Sequence, residues 1–242
     1  MKIALIGYGK MGKAIEEVAI TRGHAVILRL DADSSAADWQ RLADADAAIE
    51  FTQPDAAIEN MKRCFALGVP VVVGTTGWLG QLSAITDACN TNNGSLLWAS
   101  NFSIGVQIFM AINRKLAELM NVQPAYSVEV EEVHHTQKLD APSGTAITLA
   151  DDIVQRVARL EDWRSIEKKI SKPLTTSSLD ILSKRIDAVP GTHTVSYNSD
   201  IDSIEITHTA HSRLGFATGA VIAAEFLHDK KGVFTMQDLL QL

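Results

Sequence analysis

The sequence predicts an α/β protein in which an N-terminal doubly wound parallel sheet is followed by a smaller α+β domain with an open mixed sheet. Three observations lead there. Short apolar runs alternate with helical periodicity through the first hundred residues, as in a parallel sheet wound by helices. After Asn101 a long helix gives way to strands of two-residue alternation, apolar on one face and polar on the other, the pattern of a sheet half open to solvent. The length of 242 residues suits one large domain or two modest ones.

Lys2–Ile6 reads as a buried strand, after which Met11, Ala14, Ile15, Val18 and Ala19 recur at helical spacing until Gly23 stops the helix. Ala25–Leu28 is the second strand, running on to Leu30 and Asp31. Ala47–Phe51, Val69–Val73 and Leu96–Ala99 are the third, fourth and fifth. Between the third and fourth, Asp55–Leu67 turns Ile58, Met61 and Phe65 to one side, with Cys64 at its margin; Pro54 suits the helix start and Gly68 its end. Ile104–Met120 is a long helix with Ile108, Ile112, Leu116 and Leu119 among its apolar positions. Val128 and Val130 then alternate with Glu129 and Glu131 as a strand, and Ala146–Leu160 is helical again. Glu161–Pro190 has weak periodicity and carries no assignment. Thr192–Tyr197 and Ser203–Thr209 form an expected antiparallel pair, and Thr218–Leu227 returns to helix. These elements divide the chain into residues 1–103 with 212–242, and 104–211, the C-terminal helix packing back on the first part.

Charge narrows the function. Lys and Arg number 22 against 29 Asp and Glu, a net charge of −7. That balance disfavours duplex nucleic acid and anionic membranes, which need clustered basic residues, so an anionic ligand requires a local positive site. Cys64 and Cys89 form neither a zinc spacing nor a disulfide framework, and no metal is expected. With no basic leader, no small-residue cleavage site and no membrane-length apolar run, the expected location is the cytoplasm.

Gly7-Tyr8-Gly9-Lys10-Met11-Gly12 is a GxGxxG sequence directly after a strand and before a helix. The first glycine permits the tight turn, the second lets backbone approach a pyrophosphate, and the third allows close helix–strand packing. Free N–H groups at the helix start then receive the phosphate charge. The motif makes the first domain Rossmann-type. Asp31 follows Gly12 by 19 positions, near the usual offset for an acid that accepts hydrogen bonds from the adenosine ribose. Its charge repels a 2′-phosphate, so NADH is favoured; NADPH stays open, with Arg29 two residues earlier but no evident clamp. Asp31 with Asp33 also fits a plain solvated turn, and Lys10 an ordinary exposed first-turn residue. Phe51-Thr52-Gln53-Pro54 and Gly74-Thr75-Thr76-Gly77 close the third and fourth strands, where open α/β sheets bind ligands.

The densest chemistry lies in Glu132–Ala146. His134 and His135 end a strand, Lys138 follows in a short loop, and Ser143-Gly144-Thr145 opens a helix as a good capping sequence. A helix start beside Lys138 and a histidine forms a carboxylate site, supplying the local positive charge that the acidic composition demands. No third ligand spacing supports a metal, and Pro142-Ser143-Gly144 is not a nucleophile elbow.

These residues carry a resemblance. The block His134-His135-x-x-Lys138-x-Asp140-Ala141-Pro142-Ser143-Gly144-Thr145 resembles the dihydrodipicolinate reductase family, now called 4-hydroxy-tetrahydrodipicolinate reductases. The likeness extends through Gly7–Gly12, Phe51-Thr52, Val73–Gly77, Ala99–Val106, Ile206-Thr207-His208 and Ser212-Arg213. It implies a homotetramer assembled through the open sheet, with 1–103 and 212–242 binding dinucleotide and 104–211 serving substrate binding and oligomerisation. It implies His134 and Lys138 as acid/base and proton-donor groups, and His135, Ser143, Gly144 and Thr145 as substrate ligands. Gly74, Thr75, Thr76, Ala99, Ser100, Asn101 and Phe102 would line the nicotinamide end of the cofactor, with Gly7, Tyr8, Gly9, Lys10, Met11, Gly12 and Asp31 at its other end. The implied substrate is a small cyclic dicarboxylate, reduced in the diaminopimelate route to lysine with loss of water. Two other readings compete: another two-domain nicotinamide dehydrogenase, in which the histidine–lysine block is coincidental, and a non-catalytic NAD(H)-sensing module, which would not need Lys138.

Overall fold

The computed structural model describes residues 1–167, 177–212 and 214–242. In chain order the elements are β1 (Lys2–Ile6), α1 (Lys10–Thr21), β2 (Ala25–Leu30), α2 (Ala36–Gln40), β3 (Ala47–Glu50), α3 (Pro54–Ala66), β4 (Val71–Val73), α4 (Leu82–Thr91), β5 (Ser95–Trp98) and α5 (Ile104–Met120). They continue with β6 (Ser127–His134), α6 (Gly144–Val154), β7 (Asp162–Ile166), β8 (Ser178–Arg185), β9 (Gly191–Asn198), β10 (Ser203–Ala210), α7 (Leu214–Leu227), β11 (Gly232–Phe234) and α8 (Met236–Leu240). The chain divides into two units, Met1–Gln107 with Leu214–Leu242, and Ile108–Arg213.

In the first unit six parallel strands lie in the order β11-β5-β4-β3-β1-β2. A parallel sheet covered on both faces must be apolar on both, and β1 is: Ala4 and Ile6 join a core with Leu28, Leu30, Met61 and Phe65, while Ile3 and Leu5 join a second with Ile15, Ala19 and α7. α7 is rich in small residues and apolar nearly all round, as a helix enclosed on most sides must be. Its Gly219 is required by close approach, because a Cβ there would stand 1.7 Å from the Phe102 carbonyl oxygen. All six strands point their C-terminal ends to one edge, the edge at which open α/β sheets bind ligands.

In the second unit five strands run β10-β9-β6-β8-β7, with β6 antiparallel to β9 and parallel to β8. On β6 the alternation turns Val130, Glu132 and His134 inward, on the side that α6 covers. Glu131 faces the other way and pairs with Lys184 of β8 at 2.8 Å; Thr194 and Thr207 are 3.1 Å apart on β9 and β10. The unit is therefore mixed and α+β, with one polar sheet face.

Several boundaries differ from the sequence reading. β4 begins at Val71, since Pro70 has no N–H to give, although its carbonyl accepts from Ala48 N at 2.8 Å. α6 ends at Val154 rather than Leu160; the following turns bond Leu160 N to Val157 O, and Asn121 Oδ1 accepts from Ala158 N. On α5 the buried positions are Val106, Phe109, Met110, Asn113, Ala117 and Met120, whereas Ile108, Ile112 and Leu119 are exposed. The helix is apolar on more than one side, so spacing alone did not identify its core face. β7 and β8 fall within the unassigned Glu161–Pro190 segment, of which residues 168–176 lie outside the described ones. β11, three residues long, escaped the sequence reading altogether.

Candidate active site

The glycine loop of the first unit is built by contacts that exclude side chains. Gly7 has φ +91°, a conformation that favours glycine, and its N–H donates to Leu30 O at 2.7 Å. A Cβ on Gly7 would lie 2.1 Å from Phe51 O, and one on Gly12 would lie 2.3 Å from Gly7 O. A Cβ on Gly9, by contrast, would meet nothing within 4 Å. Gly9 N-caps α1 without a side-chain cap, and the first turn holds no acid, so the helix start offers amides and positive potential to an anion. Gly9–Gly12, Phe51, Thr52 and Gly74–Thr76 line a cleft of about 270 Å³. The donor set and the open face of Gly9 fit a pyrophosphate.

Beneath this cleft lies Glu50, fully buried at the end of β3. Thr52 Oγ1 donates to its Oε1, Asn60 Nδ2 reaches the same oxygen at 3.3 Å, and Thr52 N–H donates to Thr75 Oγ1 at 2.7 Å. Burial pushes the Glu50 carboxyl up, against these hydrogen bonds. Sequence reasoning missed this acid, which braces the two cleft-lining threonines from below. Asp31 stands exposed just after β2: its N–H donates to Ser34 Oγ at 2.9 Å and its Oδ1 accepts from Asp33 N at 3.1 Å. The turn is real, and it leaves Asp31 exposed at the surface. Lys10 and Ser100 are also exposed. Ala99 and Phe102 are buried in the core beside α7, Phe102 tilted against Phe51 at 5.9 Å, so they shape the loop from behind. Asn101 Oδ1 accepts from Ser103 N at 2.9 Å, within its own loop.

The second unit assembles the histidine block around a buried carboxylate. Glu132 is 0% exposed. Both its oxygens accept from Ser143 N–H at 3.1 Å, Arg185 Nη2 donates to Oε1 at 3.2 Å, and His134 Nδ1 stands off-axis 3.2 Å from Oε2. Burial opposes the charge of Glu132, but the contacts from His134 and Ser143 outweigh it and hold the carboxyl well below the usual carboxylate range. His134 is 8% exposed and packs on Gly191, where a Cβ would lie 3.0 Å from its Nε2. Ser143 N-caps α6 as the sequence implies: its Oγ accepts from Ala146 N at 3.2 Å and lies 3.1 Å from His193 Nε2. Gly144, at the first position of α6, is exposed, and Thr145 is half-buried. His135 lines a separate cavity of about 380 Å³ with Asp187, Pro190 and Ser212.

Lys138 Nζ lies 2.7 and 2.8 Å from the two oxygens of Asp140. Arg185 fastens that loop to the buried acid, donating from Nε to Lys138 O at 3.2 Å and from Nη2 to Asp140 O at 2.5 Å. Lys138, His134 and the start of α6 are thus tied to one carboxylate, Glu132. Arg213 lies outside the described residues. Glu132, His134 and His193 stand close enough together to suggest a metal site. However, the Glu132 oxygens are already taken by N–H donors, one of them a guanidinium whose charge opposes a cation.

Arg185 and His193 were not singled out by the sequence. His193 had a readable signal, being a polar residue on the inward parity of β9 between Gly191 and Val195; Glu132 sits likewise between Val130 and His134. Burial, followed by the neighbouring His134, lowers the His193 pKa to about 4. A histidine neutral when folded but protonated near pH 6.5 when unfolded binds fewer protons in the native state between those values, so stability falls as pH drops from about 6.5 to 4. The expected loss is about 3 kcal/mol. Denaturant unfolding across that window measures it, and His193→Gln should flatten the slope; an unchanged slope in that variant rules His193 out as the cause.

The comparisons with known proteins cover the whole chain. The family profile "Dihydrodipicolinate reductase, N-terminus" matches residues 1–102, and "Dihydrodipicolinate reductase, C-terminus" matches residues 105–240. A curated 4-hydroxy-tetrahydrodipicolinate reductase of Christiangramia forsetii is 48% identical over 240 residues, 99% of this chain and 98% of the relative. The chain belongs to the dihydrodipicolinate reductase family. A second curated 4-hydroxy-tetrahydrodipicolinate reductase, from Ralstonia nicotianae, is 33% identical across 100% of both chains. Among solved structures, a dipicolinate-bound dihydrodipicolinate reductase from Paenisporosarcina sp. TG-14 shares the fold, with a TM-score of 0.78 at 21% identity over 97% of each chain. As a member of the dihydrodipicolinate reductase family, the protein is an oxidoreductase dependent on NAD(P)H. Among the described residues no helix is long and apolar enough to cross a membrane.

Proposed function

We propose that this chain reduces 4-hydroxy-tetrahydrodipicolinate to tetrahydrodipicolinate, with loss of water, in the diaminopimelate route to lysine. On this reading the first unit holds NADH in preference to NADPH, and the second holds the small dicarboxylate. The full-length similarity to curated enzymes of that name carries the reading; the geometry of the two units supplies the roles. Bound dihydronicotinamide supplies the hydride. Gly9 and the amides opening α1 hold the pyrophosphate, Asp31 the ribose, and Thr52, Gly74, Thr75 and Thr76 the reacting end. In the second unit, the exposed start of α6 at Gly144 and Thr145 receives a substrate carboxylate, with His135 beside the site. Lys138 Nζ exchanges its Asp140 partner for substrate and delivers the proton as water leaves, while His134, held by Glu132, balances the charge.

The assembly is a homotetramer formed through the polar face of the β6–β10 sheet, and the location is the cytoplasm, where this biosynthetic chemistry has its substrates. The protein binds neither nucleic acid nor membrane, in keeping with its net charge of −7. The test is spectrophotometric. Purified protein mixed with the enzymatically generated condensation product of aspartate semialdehyde and pyruvate should oxidise NADH faster than NADPH at equal concentration. No oxidation of either would reject the reductase reading, and a clear preference for NADPH would reject the role given to Asp31.

A further inference from the structure

The nucleotide loop carries a cluster that its phosphate-binding role does not require. Glu16, in the second turn of α1, receives both Arg29 Nε at 3.0 Å and Arg29 Nη2, and Tyr8 of the glycine loop donates its hydroxyl to the same carboxylate. The Arg29 guanidinium lies 5.5 Å from the centre of the Tyr8 ring, on which it rests. Arg29 is therefore held by charge, by two hydrogen bonds and by an aromatic face. These contacts raise its pKa and lower that of Glu16, so both stay ionised and the pair is neutral.

Its position gives the pair a consequence. Arg29 lies on β2 and Asp31 one residue past its end, about 6.6 Å apart along an extended chain, and both are exposed while Leu30 between them is buried. Asp31 is the residue assigned to the ribose hydroxyls. A guanidinium one rung below that acid is the natural partner for a phosphate on the ribose 2′ position, because its planar fork matches phosphate oxygens. Here the fork is already taken.

We propose that Glu16 determines cofactor specificity by withholding Arg29 from a 2′-phosphate, so that the chain's discrimination against NADPH lies in two acids, Asp31 and Glu16. The carboxylate neutralises the one cation placed at that rung of the strand, and the Tyr8 hydroxyl fixes the carboxylate. The inference rests on the cofactor assignment made above. A surface ion pair that merely fastened α1 to β2 would change stability slightly and specificity not at all.

Steady-state kcat/KM values with NADH and NADPH decide between these roles. Glu16→Gln removes the charge at nearly constant shape and should raise the NADPH/NADH ratio about tenfold. Glu17→Gln, an equal charge change at an exposed neighbouring position, should leave the ratio within about twofold. Adding Arg29→Met to Glu16→Gln should abolish the gain. Arg29→Met alone should not raise the ratio, because it frees no guanidinium and leaves the Glu16 carboxylate uncompensated; this result holds even if Glu16→Gln fails to fold. A gain no larger than that of Glu17→Gln, a gain that survives loss of Arg29, or a rise in the ratio with Arg29→Met alone would each overturn the proposal. A wild-type enzyme that oxidises neither nucleotide would instead sink the cofactor assignment itself.

Discussion

Lys138→Ala should lower kcat by about 10²–10⁴-fold, the contribution usual for a positioned general acid. The expectation comes from how the side chain is held. The Lys138 backbone is pinned at both polar groups, its N–H to His135 O at 3.1 Å and its carbonyl by Arg185 Nε at 3.2 Å, so the short loop cannot drift. Among the described residues the ammonium itself is bound only by Asp140, whose side chain is mostly exposed. It is therefore fixed at its root and exchangeable at its tip, the arrangement wanted in a group that must let go of one carboxylate to take another. Lys138→Arg separates anchoring from proton delivery. The guanidinium keeps the charge but gives up no proton under any working condition, so KM should stay close to wild type while kcat falls nearly as far as in the alanine variant. Near wild-type turnover by either variant would sink the assignment of Lys138 as proton donor.

Legibility from sequence followed the physics of each element. The parallel sheet was readable because strands buried on both faces must be continuously apolar, and the glycine loop because two backbone approaches, at its first and third glycines, forbid a Cβ. At Gly7 and Gly12 those approaches are 2.1 and 2.3 Å. The Ser143 cap was readable because an N-cap is a local interaction. What escaped depends on contacts between segments remote in the chain. Glu132 lies 53 residues from Arg185 and 61 from His193, and nothing in the local pattern of β8 marks Arg185 as the link between a buried acid and the Lys138 loop. β7 and β8 were unreadable for a related reason: their polar positions pair across the sheet, Arg164 with Asp180 and Lys184 with Glu131 of β6, so their polarity blurs the alternation. On α5 the failure was of the opposite kind. Ile108, Ile112 and Leu119 satisfy helical spacing as well as the buried set does, and only packing against α6, through Asn113 Nδ2 to Leu149 O at 3.1 Å, distinguishes the two faces.

Glu132→Gln tests whether the buried acid organises the second unit's chemistry. The substitution keeps the shape and removes the charge. Ser143 N–H, Arg185 Nη2 and His134 Nδ1 all converge on two oxygens, and an amide has only one, so at least one donor must face the new NH2 group. With the acid wholly buried, the expected cost is about 3 kcal/mol of unfolding free energy. The pH dependence carries its own sign. A carboxyl held below its unfolded value contributes stability that is fully present above about pH 4.5 and is lost as pH falls toward the folded value, so the variant should lose part of the acid limb of the wild-type stability profile. Turnover should fall by at least about tenfold even where the variant is fully folded, because a donor displaced by a few tenths of an ångström moves the α6 start and the Lys138 loop together. KM should rise in parallel, since Gly144 and Thr145 open the same helix that Ser143 caps. Wild-type stability in the glutamine variant would mean that the guanidinium and the Ser143 amide do not need the charge. Wild-type turnover in a destabilised variant would mean that Glu132 holds the fold without setting the chemistry, and the alignment of His134 and Lys138 would then have to come from the backbone of β6 and its pairing with β8 alone.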